Sequence, residues 1–332
     1  MAEKVEVGAK MARSYEVEPI PPYSLRATFT GTEPAFPSVF DGRCLWRVVR
    51  ASSGTLVPLR VEQVGPPDDP LLLVEVLPSS PPASEADVEE ALRALCRFLC
   101  TGDDLSSAYA KMAADQALRP ILPYVRGMMP WTAFTPVEGL INAIVFQQIS
   151  LRVAFSIMER FVKGLGEAIR VRGRILYAFP SLDAIMRAGQ DGLRMLGLSR
   201  NKASYILGIA EALEEGQLDL EALSRLPVGR AIGELTALRG VGRWTAELFL
   251  ATGLKRWEVV PADDLGVRRA FSSIYGLEKP SGEAIRALCS RWGRDAWPIA
   301  YSMLVWAERR ERLLKLVGRG ARILRVGGPA GT

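Results

Sequence analysis

The sequence contains no histidine. That removes Ser–His and Cys–His nucleophile activation and every histidine-ligated metal site. Acid–base chemistry falls to carboxylates, lysine, tyrosine or bound water. Cysteine is scarce too. Cys44, Cys96, Cys100 and Cys289 are too few and too scattered for a disulfide scaffold. Cys96 and Cys100 sit one helical turn apart and share a face. Only Cys289 follows them, so no four-thiolate zinc or iron–sulfur site forms in the C-terminal half. No apolar run reaches the ~18 residues of a bilayer-spanning helix. Residues 1–11 are polar and charged and lack the apolar core of a secretory signal. The reading is therefore of an intracellular protein with no membrane partner.

What is present fits a globular protein of two or three packed domains. The chain has 332 residues, 48% hydrophobic and 24% charged, enough for more than one core. A net charge of +5 suits a polyanionic partner without proving one. Residues 14–77 read mostly as strand, with Thr55–Gln63 and Leu71–Leu77 the clearest. Turn clusters such as Phe40-Asp41-Gly42 separate them, and Pro78-Ser-Ser-Pro-Pro82 ends the pattern. An amphipathic helix follows over about Glu85–Cys100. From about Asp103 the chain reads as nearly all helix. Thr135-Pro-Val-Glu138 is a capping box with Pro at the first helical position, starting a helix to about Gln148. Others cover about Leu151–Val162, a short stretch after Ser181, Asn201–Glu214, two segments flanking Gly240–Gly242, and about Asp264–Tyr275, Gly282–Trp292 and Ala296–Leu314. The expected domains are an α+β unit over 1–115 with an antiparallel sheet, a helical core over 116–317, and a flexible basic tail over 318–332.

The most informative stretch is Leu235-Thr-Ala-Leu-Arg-Gly-Val-Gly-Arg-Trp-Thr-Ala246. Leu235 and Leu238, at i and i+3, end one helix. Gly240-Val241-Gly242 makes a tight turn, and a new helix begins at Arg243. Glycine permits positive φ and close approach of a partner. The new helix start aims free N–H groups and a positive dipole outward, which suits a phosphate. Such contacts are independent of base sequence. The bland alternative is a plain αα-hairpin with a glycine cap. A second element is Pro261-Ala-Asp-Asp-Leu-Gly-Val-Arg-Arg269, an aspartate pair before a helix. Taken alone, it reads as an ordinary N-cap.

Together these elements resemble the helix-hairpin-helix DNA glycosylase superfamily. The resemblance rests on Leu235-x-x-Leu238-x-Gly-Val-Gly242, an aspartate some twenty residues on, and an arginine five beyond it. Ala143-Ile-Val-Phe-Gln-Gln-Ile-Ser150 and Leu198-Ser-Arg-Asn-Lys-Ala-Ser-Tyr-Ile206 extend it over roughly Thr135–Trp306. Gly-x-Gly-Arg-Trp-Thr-Ala is similar to the alkylpurine, or 3-methyladenine type II, branch, where a small sheet precedes the helical domains. The implied fold is mainly α, two helical domains with the hairpin at about 229–254 and a cleft between them. The implied activity is hydrolysis of the N-glycosidic bond of a flipped, damaged purine in double-stranded DNA, leaving an abasic site. Rival readings are a glycosylase for hypoxanthine, an etheno adduct or an oxidised purine, and a hairpin protein that binds DNA without chemistry.

The resemblance also assigns residues. The spacing to Arg269 makes Asp264 the catalytic aspartate and leaves Asp263 as cap or neighbour. Bifunctional members carry lysine two after the second hairpin glycine. Here that residue is Trp244, so Schiff-base lyase chemistry has no amine. Trp244 is implied to line the base pocket, against the alternative of a core tryptophan. Leu248 stands one turn later, where the branch offers tyrosine. Trp297 and Tyr301 either close the pocket or simply pack the core. Gly240, Val241, Gly242, Arg243 and Thr245 are implied to meet DNA. Arg243, Arg200 and Lys202 are candidates for phosphate contact or for solvated surface. Gln148 stands where the wedge into the emptied stack belongs, or serves as an interhelical hydrogen-bonding residue. Carbonyls of Thr236, Leu238 and Val241 match a Na+ or K+ site. No other cofactor is expected. The protein is expected to act as a monomer, cytoplasmic in a prokaryote or nuclear in a eukaryote.

Overall fold

The computed structural model describes residues 13–324. Strands β1 (Arg13–Val17), β2 (Val39–Phe40), β3 (Cys44–Arg50), β4 (Leu56–Val64) and β5 (Leu71–Val76) open the chain, with helix α1 (Leu25–Gly31) between the first two. They form one antiparallel sheet in the order β1-β5-β4-β3-β2. β5 alternates half-buried and buried residues, as expected for a sheet with one covered face. β3 is buried almost throughout, because a hairpin of β6 (Ala168–Val171) and β7 (Arg174–Tyr177) covers its outer face. Cys44, Trp46 and Val48 pack there with Val171, Leu176 and Ala178. Leu45 and Val49 point the other way, into the main core.

That hairpin departs from the nearly all-helical reading of the chain after about Asp103. Its strands have four residues each, too short to reveal a period. Its two-residue connection, Arg172 and Gly173, takes φ of 46° and 77°, which is the tight turn that antiparallel strands favour.

The remaining helices are α2 (Glu85–Leu99), α3 (Ser106–Ala114), α4 (Leu122–Val125), α5 (Pro136–Val145), α6 (Leu151–Leu165), α7 (Leu182–Met195), α8 (Arg200–Glu214), α9 (Leu220–Arg225), α10 (Val228–Ala237), α11 (Arg243–Thr252), α12 (Leu265–Tyr275), α13 (Gly282–Ser290) and α14 (Ala296–Leu324). Ser84, Thr135, Ser150, Ser181, Ser199 and Ser281 each accept an amide hydrogen bond from the first turn they precede. α5 ends at Val145, short of the expected Gln148, because Gln148 turns left-handed at φ 53°. α14 passes Gly318, where a flexible tail was expected, and continues to Leu324. The rest of that expected tail, 325–332, lies outside the described residues. No helix among the described residues is long and apolar enough to cross a membrane.

Two main cores result, and they do not follow chain order. One joins the inner face of the sheet and α2 to the C-terminal residues Phe271, Trp292, Trp297 and Tyr301. The other gathers α5, α6, α8 and the α10–α11 hairpin through Ile144, Phe161, Ile206, Leu235 and Phe249. α5 lies close against the end of α11. A Cβ on Gly139 would stand 2.6 Å from Gly253 Cα, so only glycine permits that approach. Arg97 of α2 donates to the carbonyls of Gly253 and Ala133, tying the first core to the end of α11.

A buried ion pair joins the sheet to α5. Arg47 on β3 is 2% exposed and bonds Glu138 in the first turn of α5. Its guanidinium also lies 4.3 Å from the centre of the Phe134 ring. Burial pushes Arg47 down and Glu138 up, and their mutual attraction opposes both shifts. Removing one partner leaves a desolvated charge. Glu138→Gln should therefore lower the unfolding free energy by about 3 kcal/mol in urea denaturation. Replacing both partners, Arg47→Met with Glu138→Leu, should cost less than the single change.

Candidate active site

A cleft of about 1490 Å³ lies between the two cores. Trp131, Trp297 and Tyr301 line it from the first, and Phe146, Tyr205 and Leu238 from the second. The α5–α6 loop, the α10–α11 hairpin, the turn before α12 and the face of α14 all reach it.

The hairpin forms the lip. Gly240 takes φ +86°, and a Cβ there would fall 2.1 Å from the Tyr205 ring. Conformation and packing both demand glycine at that position. Gly242 has a different reason. Its backbone is extended, φ −87°, and a Cβ there would meet nothing within 4 Å. It stands as N-cap of α11 with no side-chain hydrogen bond to the helix start. The amides of the first turn are thus left for an outside acceptor. Gly242 and Arg243 are exposed.

Gln147 holds this lip in place. Its Nε2 donates to Gly240 O at 2.8 Å and to Thr245 Oγ1 at 2.9 Å. The interhelical role weighed for Gln148 therefore belongs to its neighbour. Gln148 is exposed, at the left-handed tip of the loop, and faces the cleft. The Lys202 ammonium donates to Val145 O and Gln147 O, both at 2.7 Å. Burial pushes its pKa down. The sequence reading offers Lys202 to a phosphate. In the structure its charge is taken up by carbonyls at the end of α5, so it shapes the loop. Arg200 is exposed and lies outside the cleft lining. Arg243 lines the cleft, with its Nε on Glu247 at 3.0 Å and its side chain 57% exposed.

Asp264 sits where the two halves meet. Its Oδ1 accepts the amides of Gly266 and Val267 at 2.8 and 3.1 Å. Its Oδ2 accepts Trp244 Nε1–H at 3.2 Å. The sequence reading offers the capping role to Asp263, with that of plain neighbour as the alternative. The structure gives it to Asp264, which is both N-cap of α12 and part of the cleft lining. Asp263 also lines the cleft but pairs with Arg286 of α13. A carboxylate accepts roughly four hydrogen bonds. Three donors are already in place, so about one acceptor position remains, on Oδ2.

The wall is aromatic. Trp244 is half-buried and lines the cleft while its edge holds Asp264. Leu248 follows one turn later on the same lining. Trp297 and Tyr301 are both buried and both line the cleft, with ring centres 5.6 Å apart. The two readings of that pair, core and pocket, therefore hold together. Burial pushes the Tyr301 phenol up, against a hydrogen bond with Thr32. Thr236, Leu238 and Val241 also line the cleft.

The arrangement offers a carboxylate in an aromatic cavity beside an open helix start, which suits an extruded, electron-poor ring on a phosphate backbone. Fold and cleft together are of the helix-hairpin-helix class of DNA enzyme. Comparison with known proteins makes this specific. Residues 141–295 match the HhH-GPD superfamily base excision DNA repair protein family. A DNA-3-methyladenine glycosylase of Bacillus subtilis is 26% identical over 236 residues, covering 71% of this chain and 77% of that one. DNA-3-methyladenine glycosylase 1 of Schizosaccharomyces pombe is 34% identical over 145 residues, 43% of this chain and 60% of that one. The solved 3-methyladenine DNA-glycosylase of Archaeoglobus fulgidus superposes with a TM-score of 0.77 at 28% identity, over 89% of this chain and 99% of that one. Residues 141–295 of this chain thus resemble the HhH-GPD superfamily, and the wider chain is similar to 3-methyladenine DNA glycosylases.

Sequence reasoning missed Gln147, Glu247 and Arg286. The i,i+4 spacing of Arg243 and Glu247 is a legible signal for one of them. Arg286 has none, because its partners lie 23 and 39 residues away. Gln147→Ala leaves the Gly240 carbonyl and the Thr245 hydroxyl without their donor. Stability should fall by about 1–2 kcal/mol in urea denaturation, and DNA affinity should fall with it as the lip loosens.

Proposed function

We infer that this protein is a base excision repair glycosylase that releases alkylated purines from DNA. The observation that carries this reading is the Asp264 carboxylate, held by three donors in an aromatic cleft beside the open start of α11. A base must leave the stack before its glycosidic bond is reached. The α11 amides and Arg243 grip the backbone beside the target, Gln148 occupies the gap, and the purine enters the aromatic cavity. An N-alkylated purine carries positive charge, and an aromatic face attracts it by about 0.5–2 kcal/mol.

As the C–N bond lengthens, the sugar acquires oxocarbenium character. A carboxylate about 4 Å away stabilises that charge by about 4 kcal/mol at an effective dielectric near 20, which is roughly a thousandfold in rate. The remaining acceptor position on Oδ2 faces this task or orients the attacking water. The alkylated base leaves without help from a general acid, which accords with a chain lacking histidine. With Trp244 in place of an amine, the reaction stops at the abasic site.

The reading extends to a monovalent cation held by the Thr236, Leu238 and Val241 carbonyls. The donors are neutral oxygens, and Leu238 O keeps one lone pair after accepting Val241 N–H at 3.1 Å. Bound there, Na+ or K+ would add a positive charge for a strand phosphate. The protein's own amides and Arg243 supply the rest of that grip.

Asp264→Asn is the direct test, because asparagine also caps helices and the variant should keep its fold. Its single-turnover release of 3-methyladenine or 7-methylguanine from alkylated duplex should drop by about a thousandfold, with DNA affinity nearly unchanged. Near-normal release by this variant would remove Asp264 from the chemistry. Borohydride should trap no protein–DNA adduct; a trapped adduct would contradict the monofunctional reading. A duplex bound but left intact by the wild-type protein would favour a non-catalytic binder.

A further inference from the structure

Two carboxylates stand side by side in the cleft lining, Asp263 and Asp264. Asp264 is tied to α11 directly through the Trp244 indole. Asp263 is tied to the same helix indirectly. Arg286 Nη2 bonds Asp263 Oδ2, while its Nε and Nη2 bond Glu247 Oε1 and Oε2 at 2.7 and 2.9 Å. Glu247 lies three residues after Trp244, one turn along α11 on the same face. It is 2% exposed and also accepts Arg243 Nε–H. The turn that carries both aspartates is closed by Asp264 N–H to Pro261 O at 2.9 Å. It is thus clamped to α11 at two points.

α13 is shaped for this clamp. A Cβ on Gly282, its first residue, would stand 1.9 Å from Asp263 Oδ1. Glycine makes room for the aspartate, and Arg286 follows one turn later on the same side. The bidentate fork to Glu247 fixes the guanidinium plane in a way a point charge does not.

We propose that Arg286 is a positioning residue of the excision reaction, locking Asp263 to Glu247 so that the Asp264 carboxylate stays against Trp244 and the reacting sugar. The proposal rests on the glycosylase reading above. Arg286 stands outside the cleft lining, so its effect is on the chemical step and not on DNA capture.

The test uses the full chain, duplex carrying 7-methylguanine, and single-turnover kinetics alongside DNA affinity. Arg286→Met should slow base release by roughly ten- to hundredfold, the range of a small misplacement of a catalytic group, with affinity within about twofold. Arg286→Lys, which keeps one bond but not the fork, should fall between. Glu247→Gln with Arg286→Met removes the stranded buried carboxylate and restores melting temperature. Release should stay slow in that double variant, because Asp263 remains untethered. A wild-type rate in Arg286→Met, or recovery of rate together with stability in the double variant, would overturn the proposal and leave the glycosylase reading standing. Failure of the wild-type protein to release any base would instead bring down both.

Discussion

Three hydrogen bonds converge on one carboxylate, and the cleft is organised around them. The amides of Gly266 and Val267 bring the start of α12 to Asp264, and the Trp244 indole brings the first turn of α11. On the proposed reading, capping and chemistry are therefore properties of the same side chain. An aspartate that completes a helix start is rigid, since turning away would strand two amides. Rigidity of that kind is what electrostatic catalysis needs, because a carboxylate placed in advance spends no reorganisation as charge develops.

The rest of the molecule keeps those two helix starts in register. α11 belongs to one core and α12 to the other, so their meeting depends on how the cores are joined. Arg97 reaches from α2 to the end of α11. Arg47 crosses from the sheet to α5, which lies against α11 at Gly139 and Gly253. Gln147, just after α5, then carries the hairpin lip. A continuous path thus runs from the N-terminal sheet to the hairpin turn, through charged or doubly bonded side chains. No residue of that sheet lines the cleft, yet the sheet holds elements that do.

Much of the fold was legible in local patterns. Threonine and serine before apolar periodicity marked helix starts at Thr135 and Ser181, and each is a cap. The β6–β7 hairpin was not legible. Its strands gain their order from packing on Trp46 and Val48, more than a hundred residues earlier in the chain. The end of α14 escaped as well, since a Gly-rich basic segment reads as a stop signal in isolation.

Within the site, the sequence alone determined which chemistry was open. It held no histidine and no lysine two after the second hairpin glycine, and its resemblance to the glycosylase family, with the spacing to Arg269, pointed to Asp264. These are matters of residue type and distance along the chain. Tertiary structure decided the division of labour between neighbours of like chemistry. Gln147 bonds the hairpin while Gln148 faces the cleft, and Asp264 caps α12 while Asp263 takes Arg286. Lys202 closes α5 instead of standing free. The physical reason is that each outcome depends on where a side chain points and what it meets. Gln147 finds its partners 93 and 98 residues away, and only folding brings such groups within hydrogen-bonding distance.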